Sequence, residues 1–139
     1  MATLIAIVDS GPLYATVDDD DTDHERSLEV FERADLTFVV PALVVTEVAY
    51  MVGRRLGPAT EAKFIRTLAD YEVESPSAED WQSIANLVDR YADFPLGSVD
   101  ASVVVLADRL GTNLIVSLDQ RHFRALRRPD GRSYSLLPE

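Results

Sequence analysis

Two short apolar runs, residues 4–8 near the start of the chain and 114–118 near its end, each stop at an aspartate, Asp9 or Asp119. Strands that are apolar along most of their length are typical of a parallel sheet covered on both faces. Between these runs, further short apolar segments alternate with stretches in which apolar residues recur at helical spacing. The chain is therefore predicted to be an α/β protein with a central, mostly parallel sheet of about five strands flanked by helices on both faces.

The alternation can be divided into individual elements. Predicted strands cover residues 3–8, 36–40, 72–75, 113–118 and 134–137. Predicted helices begin at Ser10 and then cover residues 25–34, 42–55, 60–71, 78–92 and 99–110. Ser10, Ser77 and Ser98 are expected to cap helices, because a serine side chain accepts hydrogen bonds from the free N–H groups of a first turn. With 139 residues and no linker or internal repeat, we expect one domain, residues 1–139.

The composition excludes several kinds of site. The chain has no cysteine, which rules out disulfides, thiolate zinc sites and cysteine nucleophiles. Its two histidines, His24 and His122, have no partner at a metal-ligand spacing, so they are interpreted as solvated surface residues. No apolar stretch approaches the roughly 20 residues of a membrane helix, and residues 1–8 lack the features of a signal peptide. A soluble, cytoplasmic protein is expected. Trp81 lies on the apolar stripe of its predicted helix and is expected in the core.

The net charge of −11 is distributed unevenly. Acidic residues crowd segment 18–25, where a solvated lead-in to a helix is favoured over a calcium loop because no glycine stands at the turn position. Arginines crowd the C-terminal end: Arg121, Arg124, Arg127, Arg128 and Arg132. An acidic protein ordinarily repels nucleic acid, since phosphate contacts come from lysine and arginine. A basic flank beside an acidic pocket could still hold a polyanion, and two solvated charge runs are the alternative.

Four acidic residues are placed where their carboxylates could meet. Asp9 and Asp119 follow predicted strands, and reactive groups in an open parallel sheet collect beyond the carboxyl ends of strands. Asp100 falls in the first turn of a predicted helix, and Glu47 borders the apolar face of another. Taken singly, each could be a cap, turn or surface residue. At about 5 Å and an effective dielectric near 20, each carboxylate pair repels by roughly 3 kcal/mol, so a cluster requires protons or a metal, and oxygen ligands favour Mg²⁺ or Mn²⁺.

At these four acids the chain resembles the PIN domain, and specifically the VapC-type ribonuclease toxins of prokaryotic toxin–antitoxin pairs. The matching segments, in order, are IVDSGPL, VVTEVAY, DFPLGSVDASVVVLADRLG and IVSLDQRHF, and each contains one of the acids. The resemblance spans nearly the whole chain. It implies an accessory hydroxyl at Ser117 and a supporting role for Ser10. Gly97 departs from the pattern, because many relatives carry another acid at this position, so no ligand is assigned there.

The resemblance implies a Mg²⁺-dependent endoribonuclease, with Mn²⁺ as the other candidate metal. Asp9 and Asp100 are the expected direct ligands, and Asp119 and Glu47 are expected to hold a metal-bound water or a second ion. Metal coordination lowers the pKa of a bound water and neutralises charge that develops on the phosphate. Cleavage by in-line hydrolysis would leave 5′-phosphate and 3′-hydroxyl ends.

Partners also follow from the resemblance. The implied substrate is structured RNA, a transfer RNA or ribosomal RNA, whose cleavage inhibits translation. A homodimer and a VapB-type antitoxin that masks the acidic site with a basic side chain are implied as well, and an acidic toxin would attract a basic antitoxin segment. Four arginines are expected to contact the RNA backbone: Arg121, Arg124, Arg127 and Arg128.

Three other classes of protein could place acids in a similar arrangement. A receiver-type phosphoacceptor domain requires a lysine after a late strand, but the one lysine, Lys63, lies in a predicted helix. A haloacid-dehalogenase-like phosphatase requires a second aspartate two residues after the first, and Gly11 stands there. The stronger alternative is a catalytically inactive PIN-fold module that binds RNA or a partner. A metal-dependent cleavage assay separates this module from an enzyme.

Overall fold

The computed structural model describes residues 2–139, and over this range five strands form a single sheet. The strands are β1 (Leu4–Val8), β2 (Leu36–Pro41), β3 (Glu72–Glu74), β4 (Leu114–Val116) and β5 (Ser135–Leu137). Their order across the sheet is β3-β2-β1-β4-β5, and each neighbouring pair is parallel. The predicted α/β class with a parallel sheet of about five strands is confirmed.

Helices connect the strands. They are α1 (Ser10–Val17), α2 (His24–Phe31), α3 (Ala42–Leu56), α4 (Pro58–Thr67), α5 (Ala78–Arg90), α6 (Ser98–Arg109) and α7 (Gln120–Ala125), with a 3-10 turn at Leu68–Asp70. Within residues 2–139, none of these helices is both long enough and apolar enough to cross a membrane. The bounds agree with the predicted helices to within a few residues, except that α7 was not predicted.

The strand order reverses next to β1. The chain builds outward from β1 through β2 to β3 and then returns to place β4 on the other side of β1. Val8 of β1 is in register with Val116 of β4, and the backbone N–H of Asp9 extends this ladder by donating to the carbonyl of Val116 at 2.9 Å. A crevice opens beyond the carboxyl ends of two such strands, where the connections leave in opposite directions.

Apolar cores cover both faces of the sheet. One cluster joins Ala6 and Val116 to Val30 of α2, while the larger cluster contains Ile7 and Ile115 together with residues of α1, α3 and α6. Side chains alternate between the faces along a strand, so a fully apolar strand supplies both cores. Residues 101–107 of α6 are all buried, as expected for a helix that is enclosed by its neighbours.

Two of the three predicted caps are shifted by one residue. Ser10 and Ser98 are the first residues of their helices, and Asp9 and Gly97 occupy the N-cap positions without a side-chain cap hydrogen bond. Ser77 caps α5 as predicted: its hydroxyl accepts from the N–H of Asp80, and the Asp80 carboxylate accepts from the N–H of Ser77. A capping box of this kind satisfies donors that a helix start leaves free.

The predicted burial of Trp81 is wrong, because this side chain is 50% exposed. The buried stripe of α5 instead passes through Asp80 and Ile84. Asp80 is drawn inward by an ion pair with Arg109 of α6 at 2.9 Å, which turns the neighbouring stripe of α5 toward solvent. Ile65 of α4 is likewise exposed, at 49%.

His24 does not behave as a freely solvated residue. It begins α2 half-buried, and its Nδ1 atom lies 2.6 Å from the carbonyl oxygen of Ala15 in α1. This contact links the two helices on either side of the acidic loop. The interpretation of His24 as a surface histidine is therefore corrected.

Replacing Ser77 by alanine should lower the free energy of unfolding by about 1 kcal/mol, because the N–H of Asp80 loses its acceptor. Urea denaturation monitored by circular dichroism measures the change. The control is Ser83→Ala on the same helix, an exposed serine whose hydroxyl only donates to the carbonyl of Glu79, which should shift stability by less than about 0.5 kcal/mol. Equal losses in the two variants would contradict the capping assignment.

Candidate active site

Asp9 is the most deeply placed acid of the candidate site. It follows β1 directly and is only 5% exposed. Its Oδ2 atom accepts a hydrogen bond from the Ser117 hydroxyl at 2.7 Å, and the nearby backbone N–H of Ser10 helps to lower its pKa. The strand therefore delivers a carboxylate into the crevice, and Ser117 fixes its orientation.

Ser117 links the ends of β1 and β4. Its side chain is fully buried, and its hydroxyl accepts from the backbone N–H of Asp119 at 3.0 Å while donating to Asp9. The backbone N–H of Ser117 in turn donates to the carbonyl of Leu137 at 2.8 Å. One hydroxyl thus ties two of the predicted acids to a single point at the sheet edge.

Asp100 and Glu47 approach this point from two helices. Asp100 lies half-buried in the first turn of α6, as predicted, and Glu47 lies exposed on α3. Both carboxylates act electrostatically on Asp9, and Glu47 acts on Asp100 as well. The structure therefore places these three acids within electrostatic range of one another.

Asp119 completes the acidic group from the other side. It is the N-cap residue of α7 and accepts from the backbone N–H of His122 at 3.4 Å. Ligand atoms of Asp100, Asp119 and His122 all lie within 4.8 Å of one another. Asp100 and Asp119, predicted from separate parts of the sequence, are thus adjacent here, whereas Asp9 and Glu47 are not in this 4.8 Å group.

His122 was interpreted as a solvated surface histidine, and the structure contradicts this. Its Nδ1 atom contacts Oδ2 of Asp119, and its ring packs edge-on against Phe94, with ring centroids 4.9 Å apart and planes inclined by 82°. Sequence analysis missed this residue because the six-residue α7 was not predicted. Within a helix, the spacing of three residues between Asp119 and His122 would have brought them to one face.

Two acids of the cluster, Asp9 and Asp100, hold their protons unusually tightly. Burial, together with the charges of Asp100 and Glu47, raises the pKa of Asp9 to about 7, although the hydrogen bond from Ser117 opposes the shift. Burial and the charges of Asp119 and Glu47 also raise the pKa of Asp100, and His122 opposes that shift. Among residues 2–139, no arginine or lysine forms a salt bridge with any of the four acids. The negative charge of the cluster is therefore left largely uncompensated by the chain.

The donor set fits a hard divalent cation. Carboxylate oxygens are the ligands that Mg²⁺ and Mn²⁺ prefer, and a cation would offset the repulsion that raises the pKa of Asp9. The Ser10 hydroxyl is buried directly after Asp9 and has no hydrogen-bond partner in the described part of the chain, which adds an available polar oxygen beside the cluster. Asp9, Glu47, Asp100 and Asp119 are the residues that would hold such an ion.

Gly11 lies where the first motif leaves little room for a side chain. A Cβ atom at this position would lie 3.3 Å from Cβ of Leu118, which is tighter than ordinary van der Waals contact. The close approach brings the start of α1 against the segment between β4 and α7. Glycine here therefore helps to hold Asp9 and Asp119 at the same edge of the sheet.

The predicted RNA-binding arginines divide into two groups. Arg121 and Arg124 lie on α7, immediately after Asp119, and both are exposed. Arg127 and Arg128 follow α7 and line a cavity of about 760 Å³ between α5 and α6. Along α6 that cavity is lined by residues from Val104 to Arg109, so it begins about 6 Å from Asp100 by the rise of the helix. The first pair is thus next to the acidic cluster, and the second lines a neighbouring surface.

Sequence comparison places the chain among known proteins. The family model of the PIN domain matches residues 6–129. Ribonuclease VapC26 of Mycobacterium tuberculosis (strain ATCC 25618 / H37Rv) is 36% identical over 134 residues, which cover 95% of this chain and 99% of that protein.

Solved structures share the fold at lower sequence identity. Mycobacterium tuberculosis VapC20, described as a sarcin-ricin loop cleaving toxin, superposes with a TM-score of 0.73 at 18% identity, over 80% of this chain and 86% of that one. VapBC2 from Rickettsia felis, bound to a DNA fragment from its promoter, gives a TM-score of 0.69 at 15% identity over 96% and 98%. A toxin-antitoxin complex from Klebsiella pneumoniae gives 0.63 at 16% identity over 87% and 92%.

The raised pKa of Asp9 predicts how stability depends on pH when no metal is added. The folded state binds this proton more tightly than the unfolded chain, with a pKa of about 7 instead of 3.8, so the stabilisation is complete below pH 3.8 and is lost as the pH rises through about 7. Between pH 5 and pH 8, ionisation of this single group should lower the free energy of unfolding by about 2.5 kcal/mol. Asp9→Asn should remove most of that dependence and be more stable than the parent at pH 8.

Urea unfolding in EDTA at several pH values measures this dependence. The control is Asp89→Asn, which removes the same charge from an exposed position on α5 and should keep the parental pH profile. A parental profile in Asp9→Asn would show that the Asp9 carboxyl is not the group responsible.

Proposed function

The chain belongs to the PIN-domain family and, within it, to the VapC ribonucleases of toxin–antitoxin systems, and on this basis we propose that it is a Mg²⁺-dependent endoribonuclease toxin of a type II pair. The observation that carries the proposal is the uncompensated acidic cluster at the edge of the sheet. Burial of Asp9 beside Asp100 is costly unless a cation is present. A protein that only binds a partner or has a structural role would not need to bury an acid beside another acid.

Each residue of the cluster has a proposed role. Asp9 and Asp100 hold the ion directly, and Asp119 and Glu47 hold a water or a second ion beside it. Ser117 acts as a positioning residue, because its hydroxyl fixes one oxygen of Asp9 and so determines which oxygen faces the crevice. The Ser10 hydroxyl is available to support the water layer around the ion.

The bound metal would supply an acidified water and positive charge against the phosphate. The chain's own contribution is to hold carboxylates in a crevice that no lysine or arginine of residues 2–139 neutralises by a salt bridge. Hydrolysis with attack in line with the leaving oxygen breaks the bond from phosphorus to the 3′-oxygen. The products then carry a 5′-phosphate and a 3′-hydroxyl.

The proposed substrate is structured RNA, either a transfer RNA or a ribosomal RNA, whose cleavage would inhibit translation. A related fold, VapC20, is described as cleaving the sarcin-ricin loop. Arg121 and Arg124 are exposed next to Asp119, where they can contact phosphates of an RNA whose scissile bond lies at the cluster. Arg127 and Arg128 would extend that contact toward the cavity between α5 and α6.

A VapB-type antitoxin is the proposed protein partner, and a second copy of the chain is proposed to complete a homodimer. Support comes from the related folds, which include toxin–antitoxin complexes. The net charge of −11 favours an antitoxin segment that carries basic side chains. An RNA substrate and this partner imply action in the cytoplasm.

Asp100→Asn should abolish cleavage of total cellular RNA in Mg²⁺, with a loss of at least about a hundredfold, the scale of removing one electrostatic group from an active site. The parent should leave 5′-phosphate ends, which ligation-based mapping detects. Asp108→Asn supplies the control, because Asp108 lies on the same helix but binds the Tyr134 hydroxyl instead of the cluster. If Asp100→Asn cut RNA at the parental rate, the ligand assignment would be wrong; if the parent did not cut, a binding module would be favoured.

Arg121→Ala and Arg124→Ala should each weaken RNA binding and lower the slope of log K against log[salt] by about 0.7 to 0.9 per lost phosphate contact. Filter binding by an Asp9→Asn background at several salt concentrations measures this without cleavage. Arg33→Ala is the matched control, since Arg33 pairs with Asp35 at the opposite edge of the sheet. Unchanged slopes would indicate that Arg121 and Arg124 are solvated surface residues that do not contact RNA phosphates. Arg127→Ala and Arg128→Ala test the extension toward the cavity in the same way.

A further inference from the structure

The imidazole of His122 stands inside the acidic cluster as a nitrogen donor among oxygen donors. One ligand atom from each of Asp100, Asp119 and His122 falls within 4.8 Å of the others, so an ion bound by Asp100 would lie within reach of the His122 imidazole, while Asp119 contacts the Nδ1 atom of the ring. We infer that His122 is a direct ligand of the site's cation, and that the site therefore prefers a divalent transition-metal ion, represented by Mn²⁺, over Mg²⁺. This inference rests on the proposed metal-dependent function and names an additional ligand for the same site.

The ring of His122 is held in place before any ion binds. Phe94 packs against it edge-on at 4.9 Å, and Asp119 contacts its Nδ1 atom. The N–H of His122 also donates to the Asp119 side chain, so the backbone at the start of α7 sets the position of the ring. A ligand that is already ordered loses little side-chain entropy when it binds a metal.

The tautomer leaves one nitrogen available. When Nδ1–H donates to a carboxylate, the lone pair of a neutral imidazole is on Nε2. Carboxylate–histidine pairs of this kind orient the ring and raise the basicity of the nitrogen that binds metal. In the described part of the chain, the Nε2 atom of His122 has no hydrogen-bond partner, whereas Nδ1 has Asp119.

Nitrogen ligation changes which ion the site selects. Mg²⁺ prefers oxygen ligands in near-ideal octahedral geometry and keeps several waters, so an imidazole adds little to its binding. Mn²⁺ and the later divalent metals accept imidazole together with carboxylate, with affinities that rise along the Irving–Williams series. Four carboxylates alone would bind the two ions with less discrimination.

The composition makes the inference testable. The chain has two histidines and no cysteine, so His24 is the sole other imidazole that could give a nitrogen signal in an untagged protein. His24 contacts the carbonyl of Ala15 between α1 and α2 and does not belong to the cluster. His24→Asn is therefore the matched control for His122→Asn.

Calorimetric titration of untagged protein with MnCl₂ and with MgCl₂ is the first measurement. We expect the parent and His24→Asn to bind Mn²⁺ at least about tenfold more tightly than Mg²⁺. His122→Asn should lose about 10- to 100-fold in Mn²⁺ affinity and less than about threefold in Mg²⁺ affinity. Equal losses for both ions would overturn the inference, because they indicate that His122 only orients Asp119.

Pulsed electron paramagnetic resonance of the Mn²⁺-loaded protein is the second measurement and does not depend on the folding of His122→Asn. Imidazole ¹⁴N coupling in both the parent and His24→Asn supports ligation by His122. Absence of that coupling in the parent, or its loss in His24→Asn, overturns it. If the coupling is absent while RNA cleavage still requires Asp100, only this inference fails; if Mn²⁺ does not bind and RNA is not cut, the proposed function fails too.

Discussion

The hydrogen bond between Ser117 and Asp9 is the contact on which the site depends. It joins the carboxyl ends of β1 and β4 at the place where the strand order reverses, and it is 2.7 Å long within a fully buried environment. The parallel ladder brings the two residues to the same height, since Val8 is in register with Val116. A polar contact of this kind is strong only because water is excluded, and the same exclusion makes the Asp9 carboxylate expensive to ionise.

The site therefore has two competing requirements. Burial at the edge of the apolar sheet favours the neutral form of Asp9, whereas phosphate cleavage requires ionised carboxylates. Asp100 lies in the first turn of α6. Because residues 101–107 of this helix are buried, Asp100 has little freedom to move away from Asp9. A bound cation would reconcile the two requirements, because it would offset the repulsion between the ionised acids.

Sequence patterns predicted the strands and the positions of the acids better than the side chains that depend on tertiary contacts. Continuous apolar runs located β1 and β4, and the positions after them placed Asp9 and Asp119 at one edge, because strand direction and sheet order are general consequences of chain geometry. The first turn of α6 was also recognised. Residues whose setting depends on tertiary contacts were not: His122 required the short α7 and the ring of Phe94, and Trp81 was turned outward by the pairing of Asp80 with Arg109. Burial of the serine hydroxyls likewise follows from packing that no local pattern records.

The partners of the hydrogen bond between Ser117 and Asp9 are synthesised at very different times. Asp9 and Ser117 are 108 residues apart, and the N–H of Ser117 pairs with Leu137 near the C-terminus. A nascent polypeptide therefore cannot assemble this edge until residues 117 and 137 have both left the ribosome, because such long-range pairings form only when both partners are present. A shorter nascent chain would lack the assembled centre.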